Sequence, residues 1–183
     1  VLPFSARQRI RHLLGSVRTR WKLRRLLRSA PEIRLEIGSG PVRGKNGWTT
    51  LDLSFRSDLS WDLRYPLPFP DGSIEIIYSS HVLEHFYHPD LVRLLKECHR
   101  VLRPGGIFSV CVPDASIFVR GYLAPESFNR ELLAHAPAVL SDQRMDILNY
   151  IAYMDRHHRY MFDKGNLLYV LSSAGFVSVR ARE

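Results

Sequence analysis

Two short runs, Ile74 to Ser80 and Ile107 to Val112, are apolar on both sides of the strand alternation. A strand with one wet face alternates apolar and polar residues. Runs without that alternation belong in a parallel sheet covered on both faces. Between them, Leu91, Leu94, Leu95, Cys98, Val101 and Leu102 share one face of a helix predicted over Asp90 to Leu102. Pro89 precedes that helix and Pro104-Gly105-Gly106 follows it, as start and stop signals. Strand, helix and strand in this order make a crossover unit, and crossovers join parallel strands.

Further strands are predicted at Arg34–Ile37, Thr49–Leu53 and Leu59–Leu63, with a last one at Phe176–Arg180. The fold class is α/β, a doubly wound, mostly parallel sheet with helices on both faces. Pro41 to Trp48 and Ser54 to Asp58 leave no room for full helices, so the first two crossovers are shortened. From Asp114 to Asp163 the pattern turns helical and aromatic, far longer than an ordinary connection, and reads as a helical cap inserted after the fifth strand. Lys164 to Ala174 is a last helix closed by Gly175.

A chain of 183 residues suits one domain and buries a core without disulfides. Cys98 and Cys111 fall in a helix and a strand, which points to reduced thiols. No apolar run approaches the roughly 20 residues of a membrane span, and no signal-peptide pattern opens the chain. A cytoplasmic protein is expected. The formal charge of +8 is concentrated: nine Arg and one Lys lie between Val1 and Arg34 against one acid, Glu32. Residues 1–33 are therefore read as a basic amphipathic arm packed on a domain of residues 34–183. An RNA or an anionic membrane surface is a candidate partner for residues 1–28.

In a doubly wound sheet, ligands bind beyond the carboxyl ends of the strands. Glu36-Ile37-Gly38-Ser39-Gly40 ends the first strand, and its glycines let backbone approach a ligand. Asp52 ends the second, where an acid can accept hydrogen bonds from both ribose hydroxyls of a nucleoside. Trp61-Asp62-Leu63 offers an acid and an apolar neighbour for an adenine. A nicotinamide site fits poorly, since the third glycine of a GxGxxG motif falls on Arg43.

Three further segments make the pattern specific. They are the run Asp62-Leu63-Arg64-Tyr65-Pro66-Leu67-Pro68-Phe69-Pro70-Asp71-Gly72-Ser73, then Val82-Leu83-Glu84-His85, then Arg100-Val101-Leu102-Arg103-Pro104-Gly105-Gly106. With the glycine loop and Asp52, this ordered series resembles the class I S-adenosylmethionine-dependent methyltransferases of the small type-11-like kind, over about Arg34 to Asp114. A weaker echo runs from His158 to Phe176. The resemblance implies a Rossmann-like fold and S-adenosylmethionine as cofactor. It places Glu36, Gly38, Ser39 and Gly40 at the methionine part, Asp52 and Leu53 at the ribose, and Asp62 and Leu63 at the adenine. Ser80 and His81 would lie beside the transferable methyl.

If the acceptor needs a base, His81, Glu84, His85 and His157 are the candidate catalytic residues, because histidine titrates near neutrality. His158, Tyr160 and Tyr122 are candidate contacts to the acceptor, with Phe118, Phe128, Tyr150, Tyr153 and Phe162 as further possible walls of its pocket. No HExxH or paired-cysteine motif occurs, so no metal is expected, and His81 with His85 is the best metal case. The expected activity is methyl transfer to a small molecule. A methyltransferase of RNA or protein that uses the arm, and a non-catalytic cofactor-binding scaffold, are the alternatives.

Overall fold

The computed structural model describes residues 4–29, 32–124, 126, 143–154 and 156–182. Its helices are α1 (Phe4–Ser29), α2 (His88–Val101), α3 (Ala115–Leu123), α4 (Arg144–Tyr153) and α5 (Lys164–Ser173). Its strands are β1 (Arg34–Ile37), β2 (Trp48–Asp52), β3 (Leu59–Ser60), β4 (Ile74–Ser80) and β5 (Leu102–Cys111). The chain divides into two compact units. The first is Val1–Ser80 with Arg93–Cys111, and the second is His81–Val92 with Val112–Glu183.

The first unit holds the sheet. All five strands pair in parallel, in the order β3-β2-β1-β4-β5. The order reverses between β1 and β4, which is the switch point where such sheets open a crevice. Leu35, Ile37, Leu51, Ile74 and Ile77 are all but fully buried. Leu94, Leu95, Cys98 and Val101 on α2 are buried as well. Full burial of a side chain of the valine or leucine kind is worth roughly 1.5–3 kcal/mol. Burial also pushes the Cys98 thiol well above its ordinary value, so it is a packing residue rather than a nucleophile.

α1 covers the β3 edge. Thr19 Oγ1 donates to the Ser60 carbonyl at 2.9 Å and accepts from the Ser60 amide at 2.9 Å. One hydroxyl thus satisfies both backbone groups that an edge strand leaves open. Close approach requires Gly15, where a Cβ would come 2.6 Å from Ser60 Oγ.

No helix forms between β1 and β2 or between β2 and β3. Asp58 stands in for the first of them. Its Oδ2 accepts from the Gly44 amide at 2.8 Å, the Thr50 amide at 3.1 Å and Thr50 Oγ1 at 3.0 Å. The loop lies so close that a Cβ on Gly44 would sit 1.9 Å from the Trp48 carbonyl oxygen.

Three sequence expectations need correction. The third strand stops at Ser60, because Trp61 to Tyr65 turns into the loop that Asp62 organises. Pro104-Gly105-Gly106 does not precede β5 but bulges within it. Pairing runs from Ile74–Leu102 to Ile76–Ile107, so the intervening residues loop out and Gly105 takes φ 76°. Finally, Phe176–Arg180 forms no strand: Ser178 has φ 55° and Val177 is exposed, so the segment cannot hold a ladder. β5 is consequently an edge of the described sheet, and Ile107 is exposed rather than covered.

In the second unit, α3 and α4 pack through Ala115, Phe118, Tyr150 and Ile151. The Phe118 and Tyr150 rings stack at 5.7 Å, so these two expected pocket walls are core. Asp114 caps α3 and Asp163 caps α5, each accepting from a backbone amide of the first turn. Phe128, and residues 127–142 of the expected cap, lie outside the described residues.

Candidate functional site

The carboxyl ends of β1, β2 and β4 converge in the first unit. β1 runs into Gly38, which has φ 69°, and Gly40 follows with φ 65°. A Cβ at Gly40 would meet nothing within 4 Å, so its exposed backbone faces open space. β2 ends at Asp52. Its Oδ2 accepts from the Gly40 amide at 3.1 Å and its Oδ1 from the Ser54 amide at 2.7 Å. The carboxylate therefore ties the glycine loop to the next strand. Each oxygen has more than one lone-pair site, so capacity remains for a ligand hydroxyl. Beside it Pro41, Leu53, Ser54, Phe55 and Arg56 line an open groove of about 300 Å³.

The remaining predicted cofactor residues lie on β1 and β4 or just after β3. Glu36 is on β1, half-buried, and Ser80 ends β4. Asp62 and Leu63 follow β3 and are both buried. Asp62 grips Arg64: Nε lies 2.9 Å and 3.2 Å from its two carboxylate oxygens, and the Arg64 amide donates at 3.0 Å. The Asp62 charge is thus compensated inside its own turn.

Sequence reading missed what two of the recognised motifs do. Arg100 donates to the Leu67 and Phe69 carbonyls at 3.0 Å each and pairs with Glu97 and Asp71. Glu97 in turn accepts from the Leu67 amide at 2.7 Å. The guanidinium and its hydrogen bonds hold the Glu97 carboxyl below the usual carboxylate value. This clamp fixes the proline-rich loop between β3 and β4. The signal was legible as an acid and an arginine three residues apart on α2, facing a loop whose prolines donate no hydrogen bonds.

The second unit gathers the histidines. His81 follows β4 with φ 55°, a left-handed conformation costly for a side-chain-bearing residue. Its Nδ1 lies 3.4 Å from Glu84 Oε1. Glu84 is 2% exposed. Its carbonyl accepts from the Arg159 amide at 2.7 Å and the Tyr160 amide at 3.2 Å, which draws the distant 158–160 segment onto the Leu83–His85 turn. His85 Nδ1 meets the His157 carbonyl at 3.0 Å, and His158 Nδ1 meets the Ile151 carbonyl at 2.7 Å. Burial lowers the His158 pKa, which disfavours the charged form of its ring. Tyr160 stacks near His88 and accepts from Asn166 at 3.2 Å, while Tyr122 sits half-buried on α3. The structure therefore assembles His81, Glu84, His85, His157, His158 and Tyr160.

A parallel sheet ordered β3-β2-β1-β4-β5, with a glycine bend and an acid at adjacent strand tips, defines an α/β protein of the Rossmann-like class. Comparison with known proteins narrows this. A sequence model described as "Methyltransferase domain" matches residues 57–110. A "probable S-adenosylmethionine-dependent methyltransferase" of Mycolicibacterium smegmatis is 41% identical over 59 residues, 32% of this chain and 22% of that protein. Malonyl-[acyl-carrier protein] O-methyltransferase 1 of Coxiella burnetii is 46% identical over 50 residues, 26% of this chain and 17% of that protein. The chain thus spans less than a quarter of the length of these curated relatives. Among solved structures, phosphoethanolamine N-methyltransferase 2 of Haemonchus contortus, in complex with S-adenosyl-L-methionine, shares the fold. Its TM-score is 0.51 at 16% identity, over 86% of this chain and 37% of that one. Residues 57–110 are thus similar in sequence to methyltransferase domains, and the chain shares the fold of a solved methyltransferase.

Proposed function

We propose that the protein binds S-adenosylmethionine at the tips of β1, β2 and β4 and transfers its methyl group to a small-molecule acceptor. The observation that carries this reading is the bond from the Gly40 amide to Asp52, because it joins a bare-backbone bend to an acid at adjacent strand ends. Both features suit the cofactor. The bend admits a ligand where a Cβ would otherwise stand, and Asp52 offers acceptors for ribose hydroxyls beside an open groove. Glu36, Ser39, Leu53, Leu63 and Ser80 would complete the lining.

When bound, the cofactor supplies an electrophilic methyl carbon on a sulfonium. The chain's own task is alignment and exclusion of water. Asp52 orients the nucleoside, and Asp62 reaches adenine only by sharing a carboxylate already held by Arg64. His81 and His157, both exposed, are the residues we assign to proton removal from the acceptor. Tyr160 and Tyr122 are assigned to acceptor contacts. We place the enzyme in the cytoplasm because Cys98 and Cys111 are both free thiols. No described helix is long and apolar enough to cross a membrane.

The test is transfer of label from methyl-labelled S-adenosylmethionine to a panel of small hydroxy, amino and carboxy acceptors. Transfer by wild type, reduced in His81→Ala and His157→Ala, supports the proposal. Cofactor binding without transfer to any acceptor leaves the scaffold reading in its place.

We also read α1 as a dock for an anionic lipid surface. Leu13, Val17 and Trp21 recur every fourth residue and are each about two-thirds exposed. Arg18, Arg20, Arg24, Arg25 and Arg28 accompany this stripe on the same helix. An apolar stripe among arginines suits insertion at a headgroup boundary better than phosphate contacts alone, which need no aliphatic face.

A further inference from the structure

The second unit contains a group of side chains, Glu84, His85 and His158, that the proposed methyl transfer leaves without a step. Glu84 is 2% exposed, yet neither carboxylate oxygen has a hydrogen-bond partner among the described residues. A buried carboxyl group without partners is expensive, and His81 Nδ1, 3.4 Å from Oε1, stands outside hydrogen-bond geometry. Such an orphan calls for a cation.

The neighbours supply the rest of a ligand set. Glu84, His85 and His158 each present one donor atom, and the three atoms lie within 4.8 Å of one another. Each ring meets a backbone carbonyl through Nδ1. A carbonyl only accepts, so the bonds to the His157 and Ile151 carbonyls place the proton of each ring on Nδ1. Nε2 of each is then a lone-pair donor. A histidine fixed by its second nitrogen on a backbone carbonyl is the usual way a protein prepares a metal ligand.

We propose that Glu84, His85 and His158 form a binding site for one divalent transition-metal cation. Two imidazoles and one carboxylate suit a borderline cation such as Zn²⁺ rather than the all-oxygen shell preferred by Mg²⁺ or Ca²⁺. Bonds of about 2.0 Å imply ligand atoms roughly 3.3 Å apart in a tetrahedron. The three donor atoms lie within 4.8 Å of one another, and a pivot of the exposed His85 ring about its Nδ1–carbonyl bond would close the shell. Three protein ligands leave a coordination position for water or an oxygen of a bound molecule. The sequence offered no metal motif because His85 and His158 are more than seventy residues apart. The fold joins them when the Arg159 and Tyr160 amides bond the Glu84 carbonyl.

The site stands independently of the cofactor reading, and its test needs no methyl acceptor. The whole chain, dialysed against chelator and then freed of it, is titrated calorimetrically with Zn²⁺. The expected result is saturation at one ion per chain and a raised unfolding midpoint. His85→Ala and Glu84→Gln should each weaken binding at least tenfold, while His99→Ala, outside the cluster, binds as wild type. Circular dichroism checks that each variant is folded. If Glu84→Gln is not, His85→Ala decides alone, since that side chain is exposed. Absence of a saturable stoichiometric site, or equal affinity in His85→Ala and wild type, overturns the proposal.

Discussion

Replacing Arg100 by Met should cost about 3 kcal/mol of unfolding free energy. The figure follows from what the guanidinium holds. Asp71 is 81% exposed and contributes nothing worth counting. The Leu67 and Phe69 carbonyls belong to residues 3% exposed, and Glu97 keeps only 17% of its side-chain surface in water. Breaking a fully buried pair costs about 3–5 kcal/mol, and hydrogen bonds to a charged group are worth about 1.5–3 kcal/mol each. Arg100 keeps 31% of its own side-chain surface exposed, so water recovers part of the loss and the lower end of these ranges applies. Urea unfolding followed by tryptophan fluorescence measures the change, since Trp61 sits in the clamped region with its Nε1 on the Pro66 carbonyl. The same clamp predicts a pH effect. The folded-state pKa of Glu97 is depressed, so its contribution is full above the ordinary glutamate value and is lost as pH falls through the lower, folded value. The Arg100→Met protein should lack that share of the acid limb. A loss under about 1 kcal/mol, with an unchanged acid limb, would refute the clamp.

Three other outcomes are expected. Gly44→Ala should cost at least about 3 kcal/mol in thermal or urea unfolding, because backbone must move away from a Cβ 1.9 Å from the Trp48 oxygen. Asp58→Ala strands the Gly44 and Thr50 donors and should cost about 2–3 kcal/mol, read by the same unfolding curves. Trp21→Ser with Val17→Ser should lower co-sedimentation with phosphatidylserine vesicles several-fold while leaving the unfolding midpoint near wild type, as both side chains are exposed. Equal sedimentation of wild type and variant would remove the lipid dock.

Those elements whose information is local were legible in sequence. β4 matched its apolar run residue for residue, and the missing early helices followed from loop length alone. The glycine bend and Asp52 were readable because strand ends and positive-φ residues leave local marks. Long-range compensation was not. Nothing near Asp58 announces that its carboxylate replaces a helix, and the Glu97–Arg100 spacing marks a pair without naming the loop thirty residues upstream that it holds. Phe176–Arg180 looked like a strand by composition, but a strand exists only through its partner, and Ser178 turns the backbone away. The histidine cluster failed for the same reason, since its two halves meet through long-range bonds to the Glu84 and His157 carbonyls.

Calorimetry of S-adenosylmethionine and S-adenosylhomocysteine on wild type and Asp52→Ala addresses the strand-tip pocket most directly. Micromolar affinity, about −8 kcal/mol, is expected for wild type, weakened at least tenfold in the variant. Undiminished affinity in a folded Asp52→Ala protein, or no binding to wild type, would contradict the placement of the nucleoside on β1 and β2.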